Sequence, residues 1–288
     1  MRERLERLLG GRAVSLERVS GRGYTHTGRY RAVLDDGRSF FVKAAVDELS
    51  ADWLRAEHVV YADVRGAFLP EFHSYDERDG WPLLVLEDLS GARWPPPWTN
   101  EDVDAVRHTL GVVAATKPPP GVTPISEWRD AWVTGWPHVA KDPELFLALG
   151  LCSREWLDAH VPELRDAAER APLEGRSLVH LDVRSDNTAL ADRGAVLVDW
   201  SFASAGNPVA DLVCWAPSLC IETGIRPSHV VDADGVGELA ALISGVWAAV
   251  AGLPPPPTAE QRLRDTQLAQ LRISLPWACR ELSIPEPG

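Results

Sequence analysis

The sequence predicts an α+β fold in which strands gather near the N-terminus and helices fill most of the remaining chain. Three features predict it: short β-branched or aromatic runs before residue 90, helix-length apolar periodicities after residue 99, and a proline-dense break between them. A chain of 288 residues can bury a large core, and two lobes sharing one cleft are expected, divided into residues 1–91 and 92–288.

The strands come first. Residues 14–19 (VSLERV), 30–34 (YRAVL) and 39–45 (SFFVKAA) read as antiparallel strands, with turns at Gly21-Arg22-Gly23 and Asp35-Asp36-Gly37. From Ser50 to Val64 the period becomes helical, with Trp53, Val60 and Val64 on one face. Glu57 falls inside that apolar stripe, where a carboxylate without a partner would be costly. Residues 82–86 (PLLVL) form another strand, followed by Glu87-Asp88-Leu89-Ser90-Gly91. The stretch Trp94-Pro95-Pro96-Pro97-Trp98 suits neither helix nor central strand, because proline removes donors and fixes φ, so it marks the boundary. Thr99 with Asp102 three residues later is an N-cap signature for a helix reaching about Ala115. Further helices are predicted over about 126–140, 154–171, 208–222, 236–251 and 259–282, the last two separated by the tetraproline at 254–257. In this part only 177–181 and 195–199 read as strands, and they are expected to pair as a hairpin.

Composition narrows the partners. Apolar residues at 45% and charged residues at 25% are those of an ordinary globular protein, so disorder is not expected. The opening MRERLERLLGG lacks the apolar core of a signal peptide, and no run of about 18 apolar residues is present to span a bilayer, so a cytoplasmic protein is expected. Cys152, Cys214, Cys220 and Cys279 show no CxxC spacing and read as small buried hydrophobes. A net charge of −13 argues against nucleic acid and anionic membrane as partners, since both require a basic footprint. Residues 1–90 carry 13 basic and 16 acidic side chains and residues 91–288 carry 16 and 26, so the acidity lies mostly in the later part, which can attract a cation. The basic residues are 26 Arg and three Lys, and Lys43 is the single lysine of the first hundred residues.

The most informative segment is Leu178-Val179-His180-Leu181-Asp182-Val183-Arg184-Ser185-Asp186-Asn187, followed by the apolar run 195–198 and Asp199-Trp200. It contains H-x-D-x-x-x-x-N and then an Asp after a short strand. Phosphoryl transfer from ATP requires a carboxylate to orient the acceptor hydroxyl and take its proton, and oxygen ligands for the bridging magnesium. Asp182, Asn187 and Asp199 supply that set, the hairpin being expected to bring Asn187 and Asp199 together. His180 is read as bracing the loop, and Arg184 as reaching the transferred phosphoryl group. Lys43, on the third strand, precedes Glu57 by fourteen residues, the order required for a lysine–glutamate pair on the nucleotide phosphates. The segment Gly21-Arg22-Gly23-Tyr24-Thr25-His26-Thr27-Gly28 lies where a phosphate-covering loop belongs. It is a partial G-x-G-x-x-G, with His26 in place of the third glycine; Gly21, Gly23, Tyr24 and Thr25 are its nucleotide-binding candidates.

On these residues the chain resembles the aminoglycoside phosphotransferase family of kinase-like small-molecule phosphotransferases. The resemblance rests on HLDVRSDN at 180–187, VLVDW at 196–200, GNPVADLVCW at 206–215, LVLEDL at 84–89 and the Lys43–Glu57 order. It implies a protein-kinase-like two-lobed fold with a β-rich N-lobe, a mostly helical C-lobe, and ATP between them. It also implies adenine at the backbone of Glu87 to Leu89, Asp182 as catalytic base, Asn187 and Asp199 as Mg2+ ligands, and Asp211 as a brace under the catalytic loop. Two departures stand out: Leu181 replaces a common glycine, and Asp199 is followed by Trp-Ser and not Phe-Gly. Only eleven residues separate Asp199 from Asp211, too few for the activation segment with which a protein kinase holds a peptide, so a small acceptor is expected.

For the acceptor, acidic side chains can bind ammonium groups and aromatic ones can pack on rings or cations. Candidates are Asp186, Trp215, Glu222, Asp232, Asp234, Trp277 and Glu281. The first reading is a hydroxyl on a cationic antibiotic such as an aminoglycoside. Alternatives are a metabolic kinase for choline, homoserine, an amino sugar or another sugar, and a catalytically inactive nucleotide-binding protein of kinase fold. GTP in place of ATP, and a monomer or a homodimer, are all compatible with these residues.

Overall fold

The computed structural model describes residues 1–19, 27–257, 259 and 261–288. In chain order the elements are α1 (Arg2–Leu9), β1 (Ala13–Arg18), β2 (Gly28–Leu34), β3 (Ser39–Ala44), α2 (Glu48–Asp63), β4 (Phe72–Asp76), β5 (Leu83–Glu87) and α3 (Asn100–Ala115). There follow β6 (Thr123–Pro124), α4 (Arg129–Val133), α5 (Gly135–Lys141), α6 (Glu144–Leu147), α7 (Arg154–Glu169), β7 (Ser177–Val179), β8 (Thr188–Ala191) and β9 (Gly194–Leu197). The last are β10 (Ser204–Gly206), α8 (Val209–Thr223), α9 (Pro227–Val230), α10 (Val236–Val250) and α11 (Arg262–Glu281). The chain forms two compact units, described separately; the first comprises Met1–Val113, Pro118–Val122 and Ser185–Ala203, and the second the remainder.

The first unit is built on a five-stranded sheet of order β1-β2-β3-β5-β4, with each neighbouring pair antiparallel. Because side chains alternate along a strand, the register divides this sheet into two chemically different faces. Ala32, Leu34, Phe40, Val42, Leu83 and Val85 share one face and form an apolar core with Leu5 of α1. Arg29, Arg31, Phe41, Lys43 and Leu86 share the other, since Arg29 pairs with Lys43, Arg31 with Phe41 and Phe41 with Leu86. Helix α2 opens with a capping box in which Ser50 N donates to Asp47 Oδ1 (2.7 Å) and Asp47 N donates to Ser50 Oγ (3.0 Å). Its buried face runs through Leu54, Glu57, Val60 and Tyr61, with Trp53 half-buried at the margin. Thr99 and Asp102 cap α3 reciprocally: Thr99 N donates to Asp102 Oδ2 (2.7 Å) and Asp102 N to Thr99 Oγ1 (3.2 Å).

In the second unit β10 pairs parallel with β6 and antiparallel with β7, giving a three-stranded sheet. Helix α10 is buried along most of its length and packs against α5, α7 and α11. The helix expected over 126–140 is broken into α4 and α5 where Gly135 meets α10. A Cβ at Gly135 would lie 2.3 Å from the Gly245 carbonyl, so this close approach admits only glycine.

One pairing differs from the sequence reading. The runs 177–181 and 195–199 do not form a hairpin with each other: β7 pairs with β10, and β9 pairs with β8 through Thr188↔Leu197 and Ala191↔Gly194. Strand β8, only four residues long, is too short for periodicity to separate it from a loop. Helix α1 and strand β4 are likewise additions to the sequence reading: α1 is short and highly charged, and β4 (FHSYD) lacks a clean alternation. Among the described residues no helix is long and apolar enough to cross a membrane.

Candidate active site

The polar face of the first unit's sheet lines a cleft of about 260 Å3, completed by Glu57 of α2, the segment Glu87–Ser90 after β5, Trp94, and Asp186, Asn187, Val198 and Asp199. The β8–β9 hairpin supplies the last group. Asn187 precedes β8 and Val198 follows β9, and Val198 N donates to the Asn187 carbonyl (3.0 Å). The two chain ends at the open side of this hairpin therefore carry Asn187 and Asp199. The structure brings together the pair that the sequence suggested, through a different strand from the one expected.

Lys43 is the centre of the cluster. It is 4% exposed, and its ammonium forms ion pairs with Glu57 and with Asp199 Oδ1 (3.1 Å). Burial alone would lower the pKa of Lys43, but the carboxylates of Asp199 and Glu57 outweigh it and hold the ammonium charged. Burial pushes Glu57 up to about 7, against the pull of Lys43. Its second oxygen, Oε2, is buried and makes no hydrogen bond. Asp199 is more open, at 25% side-chain exposure, with Arg29 Nη2 3.9 Å from its Oδ2. The Asp199 backbone is left-handed (φ 68°), which costs a non-glycine residue roughly 1–2 kcal/mol and is tolerated where surrounding contacts fix it.

The carboxylate of Asp199 and the amide oxygen of Asn187 are hard oxygen donors, the chemistry that suits Mg2+. Lys43 lies beside them as a buried cation of the kind that can meet phosphate oxygens, and Glu57 holds its ammonium in place. The donor set thus fits a nucleotide with its divalent ion. Elsewhere in the cleft Arg31 Nε donates to Asp88 Oδ2 (2.6 Å), and Trp94 Nε1 donates to the Leu89 carbonyl (3.2 Å), which fixes the indole beside the segment expected to meet adenine. Glu87 is held by Arg193 of the β8–β9 turn and accepts from Glu71 N (3.0 Å). Sequence reasoning missed Arg29, Arg31, Asp88 and Trp94. The alternation R-Y-R at 29–31 was the available signal, since it puts both arginines on one strand face. Gly21, Gly23, Tyr24 and Thr25 lie outside the described residues.

The H-x-D-x-x-x-x-N motif passes from one unit to the other between Arg184 and Ser185. Its first half, in the second unit, follows β7. There Asp211 of α8 is buried, and its carboxylate accepts His180 N at both oxygens (2.9 and 3.0 Å) and Leu181 N at Oδ1 (2.6 Å). Burial raises the Asp211 pKa to about 6 despite those two donors. Leu181 is left-handed (φ 63°), so a leucine occupies a conformation that glycine adopts freely. His180 is fully buried, and its Nδ1 accepts Asp182 N (3.2 Å). Asp182 is 28% exposed, with Arg184 Nε 3.1 Å from its Oδ1. Of the acceptor candidates in this unit, Trp215 and Trp277 are buried, Trp277 Nε1 donating to Glu281 Oε1 (3.0 Å). Asp232, Asp234, Glu222 and Glu281 are exposed.

Residues 17–253 match the phosphotransferase enzyme family (APH). No curated protein sequence matches the chain. Among solved structures the chain is similar to a choline/ethanolamine kinase family protein from Mesorhizobium loti, with TM-score 0.60, 14% identity, and coverage of 93% of this chain and 91% of that one. It is also similar to a thermostable mutant of an aminoglycoside phosphotransferase in ternary complex with ADP and hygromycin B (TM-score 0.56, 16% identity, 98% and 96% covered). A third is an amicoumacin kinase in complex with AMP-PNP and Ca2+ (TM-score 0.50, 10% identity, 89% and 86% covered). At these identities the structures establish the protein-kinase-like, two-lobed α+β fold, while the family match covers well over half of the sequence: the chain belongs to the phosphotransferase enzyme family and is an enzyme of that class.

Proposed function

We propose that the protein is an ATP- and Mg2+-dependent kinase that moves the γ-phosphoryl group to a hydroxyl of a small cationic acceptor, such as an aminoglycoside or another basic antibiotic. The observation that carries this reading is Lys43, buried between Glu57 and Asp199 in a cleft that also presents Asn187. Lys43 holds the phosphates and Glu57 fixes its ammonium. Asp199 and Asn187 hold Mg2+, which neutralises phosphate charge when bound. The backbone of Glu87 to Leu89 receives the purine, a mode open to GTP as well. Gly21, Gly23, Tyr24 and Thr25 belong to the loop over the phosphates. Asp182 orients the acceptor hydroxyl and takes its proton at a carboxylate oxygen, Arg184 meets the transferred group, and His180 and Asp211 brace their loop. In this division residues 1–91 act as the nucleotide lobe and 92–288 as the catalytic and acceptor lobe. The enzyme acts in the cytoplasm as a monomer or homodimer.

A cationic acceptor is supported by the excess of 26 acidic over 16 basic residues in 91–288. Asp186, Glu222 and Glu281 are its proposed contacts, with the exposed carboxylates making the first encounter; Trp215 and Trp277, candidates by sequence, are 0% and 1% exposed and pack in the core, out of an acceptor's reach. A second reading, a metabolic kinase for choline, homoserine, an amino sugar or a sugar, is favoured by the likeness to the choline/ethanolamine kinase family protein, whose name also points to a cationic alcohol.

The test is an ATP- and GTP-consumption screen over aminoglycosides, other basic antibiotics, amino alcohols and sugars, with Asp182→Ala as control. Transfer to an antibiotic that Asp182→Ala abolishes is expected. A far higher kcat/KM on a non-antibiotic alcohol would replace the first reading with the second. Mg2+-dependent ATP binding without transfer to any acceptor would overturn both, and full activity of Asp182→Ala would overturn the base assignment.

A further inference from the structure

We propose that Arg29 is a second phosphate-binding cation of the nucleotide site, acting beside Lys43; this rests on the nucleotide reading above. The β2–β3 register sets Arg29 directly opposite Lys43, so the two side chains leave the sheet on the same face. Both line the same cleft, and Arg29 is only 11% exposed at its side chain. The two cations face the two oxygens of one carboxylate: Lys43 Nζ is 3.1 Å from Asp199 Oδ1 and Arg29 Nη2 is 3.9 Å from Asp199 Oδ2.

Among the described residues, Arg29 and Lys43 thus stand against the carboxylates of Glu57 and Asp199. A divalent ion taken up by Asp199 competes for the oxygens that the cations now face. The positive charges of Arg29 and Lys43 are then directed to the phosphates that arrive with the ion. Arginine suits this position because its planar, permanently charged guanidinium can bind two phosphate oxygens at once, whereas lysine offers a single point charge. The sequence supplies a reason for a second cation. The glycine pattern ahead of β2 is incomplete, with His26 in its third glycine position, and such loops bind phosphate through close backbone approach. The competing role is purely local, with Arg29 serving only to neutralise Asp199.

Dissociation constants for ATP, ADP and adenosine decide between these roles. They are measured by titration calorimetry on the full chain and its Arg29→Met and Arg29→Lys variants, with and without Mg2+, with thermal melting to confirm folding. Phosphate contact predicts that Arg29→Met weakens ATP and ADP by about tenfold or more, a typical loss for a charge-assisted contact. Adenosine should change by less than about twofold, the loss for ADP should persist without Mg2+, and Arg29→Lys should recover part of it. Equal losses for adenosine and ATP, no loss for either, or a loss seen only with Mg2+ would each overturn the proposal. A wild-type protein that binds adenosine and ATP equally well, or neither, would instead bring down the nucleotide reading, and this proposal with it.

Discussion

Leu181 and Asp199 are two of the three non-glycine residues with left-handed backbone among those described, and they belong to different units. Each is held by carboxylate chemistry, in opposite senses. At Leu181 the carboxylate is the brace: Asp211 is buried beneath the loop and accepts backbone N–H groups, leaving Asp182 to face outward. At Asp199 the carboxylate is itself the strained residue, and the braces are cations, Lys43 directly and Arg29 at longer range. Neutral amide dipoles suit a loop whose shape must not vary. On the proposed nucleotide reading, side-chain charges suit a carboxylate that exchanges its partners when an ion and a polyphosphate arrive.

The sharpest way to break this contrast is Lys43→Met. It should reduce phosphoryl transfer by roughly a hundredfold or more, the scale seen when a preorganised charge is removed from a reacting group. Steady-state kinetics with ATP as the varied substrate would check it. The variant also leaves Glu57 buried without its counterion, so Lys43→Met with Glu57→Gln should regain stability but not activity. Activity regained in the double variant would mean that Lys43 acts only on Glu57.

A smaller effect is expected at the Asp211 brace. Asp211→Asn keeps one carbonyl acceptor for the loop and should cost about 1–3 kcal/mol in denaturant unfolding, with kcat falling more than nucleotide affinity. The penalty should depend on pH. Because the folded pKa of Asp211, about 6, lies above the ordinary 3.8, the native state binds more protons than the unfolded state between those values. Stability from this group is therefore complete below about pH 4 and lost as pH rises through 6. The asparagine variant lacks that titration, so the gap between it and wild type should narrow from pH 4 to pH 7. A gap that widens would mean that the carboxylate is ionised throughout, with its backbone donors outweighing burial.

The smallest effect belongs to Leu181→Gly. Relief of the left-handed backbone and the greater entropy of an unfolded glycine oppose each other at about 1 kcal/mol each, so melting should hardly shift and turnover should stay within about twofold. A large loss of turnover would show that the leucine side chain, and not its backbone, matters to the loop.

Much of this was legible in the residues. The rare lysine at 43, a carboxylate in the apolar stripe of α2, and Asp182, Asn187 and Asp199 in order each break a local pattern for a chemical reason. The arginines of β2 were not legible as site residues, because two arginines on a strand next to a turn are also what a solvated edge looks like. Only the pairing Arg29↔Lys43 assigns them to the cleft face. The hairpin was misassigned for a related reason: 177–181 and 195–199 are both short apolar runs, and strand partnership is a long-range choice that composition does not encode.

By itself, then, the sequence determined the chemistry present and its order along the chain: the capped start of α3, the break at 94–98, and the phosphotransfer motif. These depend on backbone preferences and side-chain types, which act over a few residues. Tertiary structure alone decided which charges meet. It buried Glu57 and Asp211 with different partners, set Arg29 and Lys43 on the two oxygens of Asp199, and joined Asn187 to Asp199 through β8 and β9. Burial and charge pairing depend on groups as far as 170 positions apart, from Arg29 to Asp199, and only the folded chain brings such groups within a few ångströms.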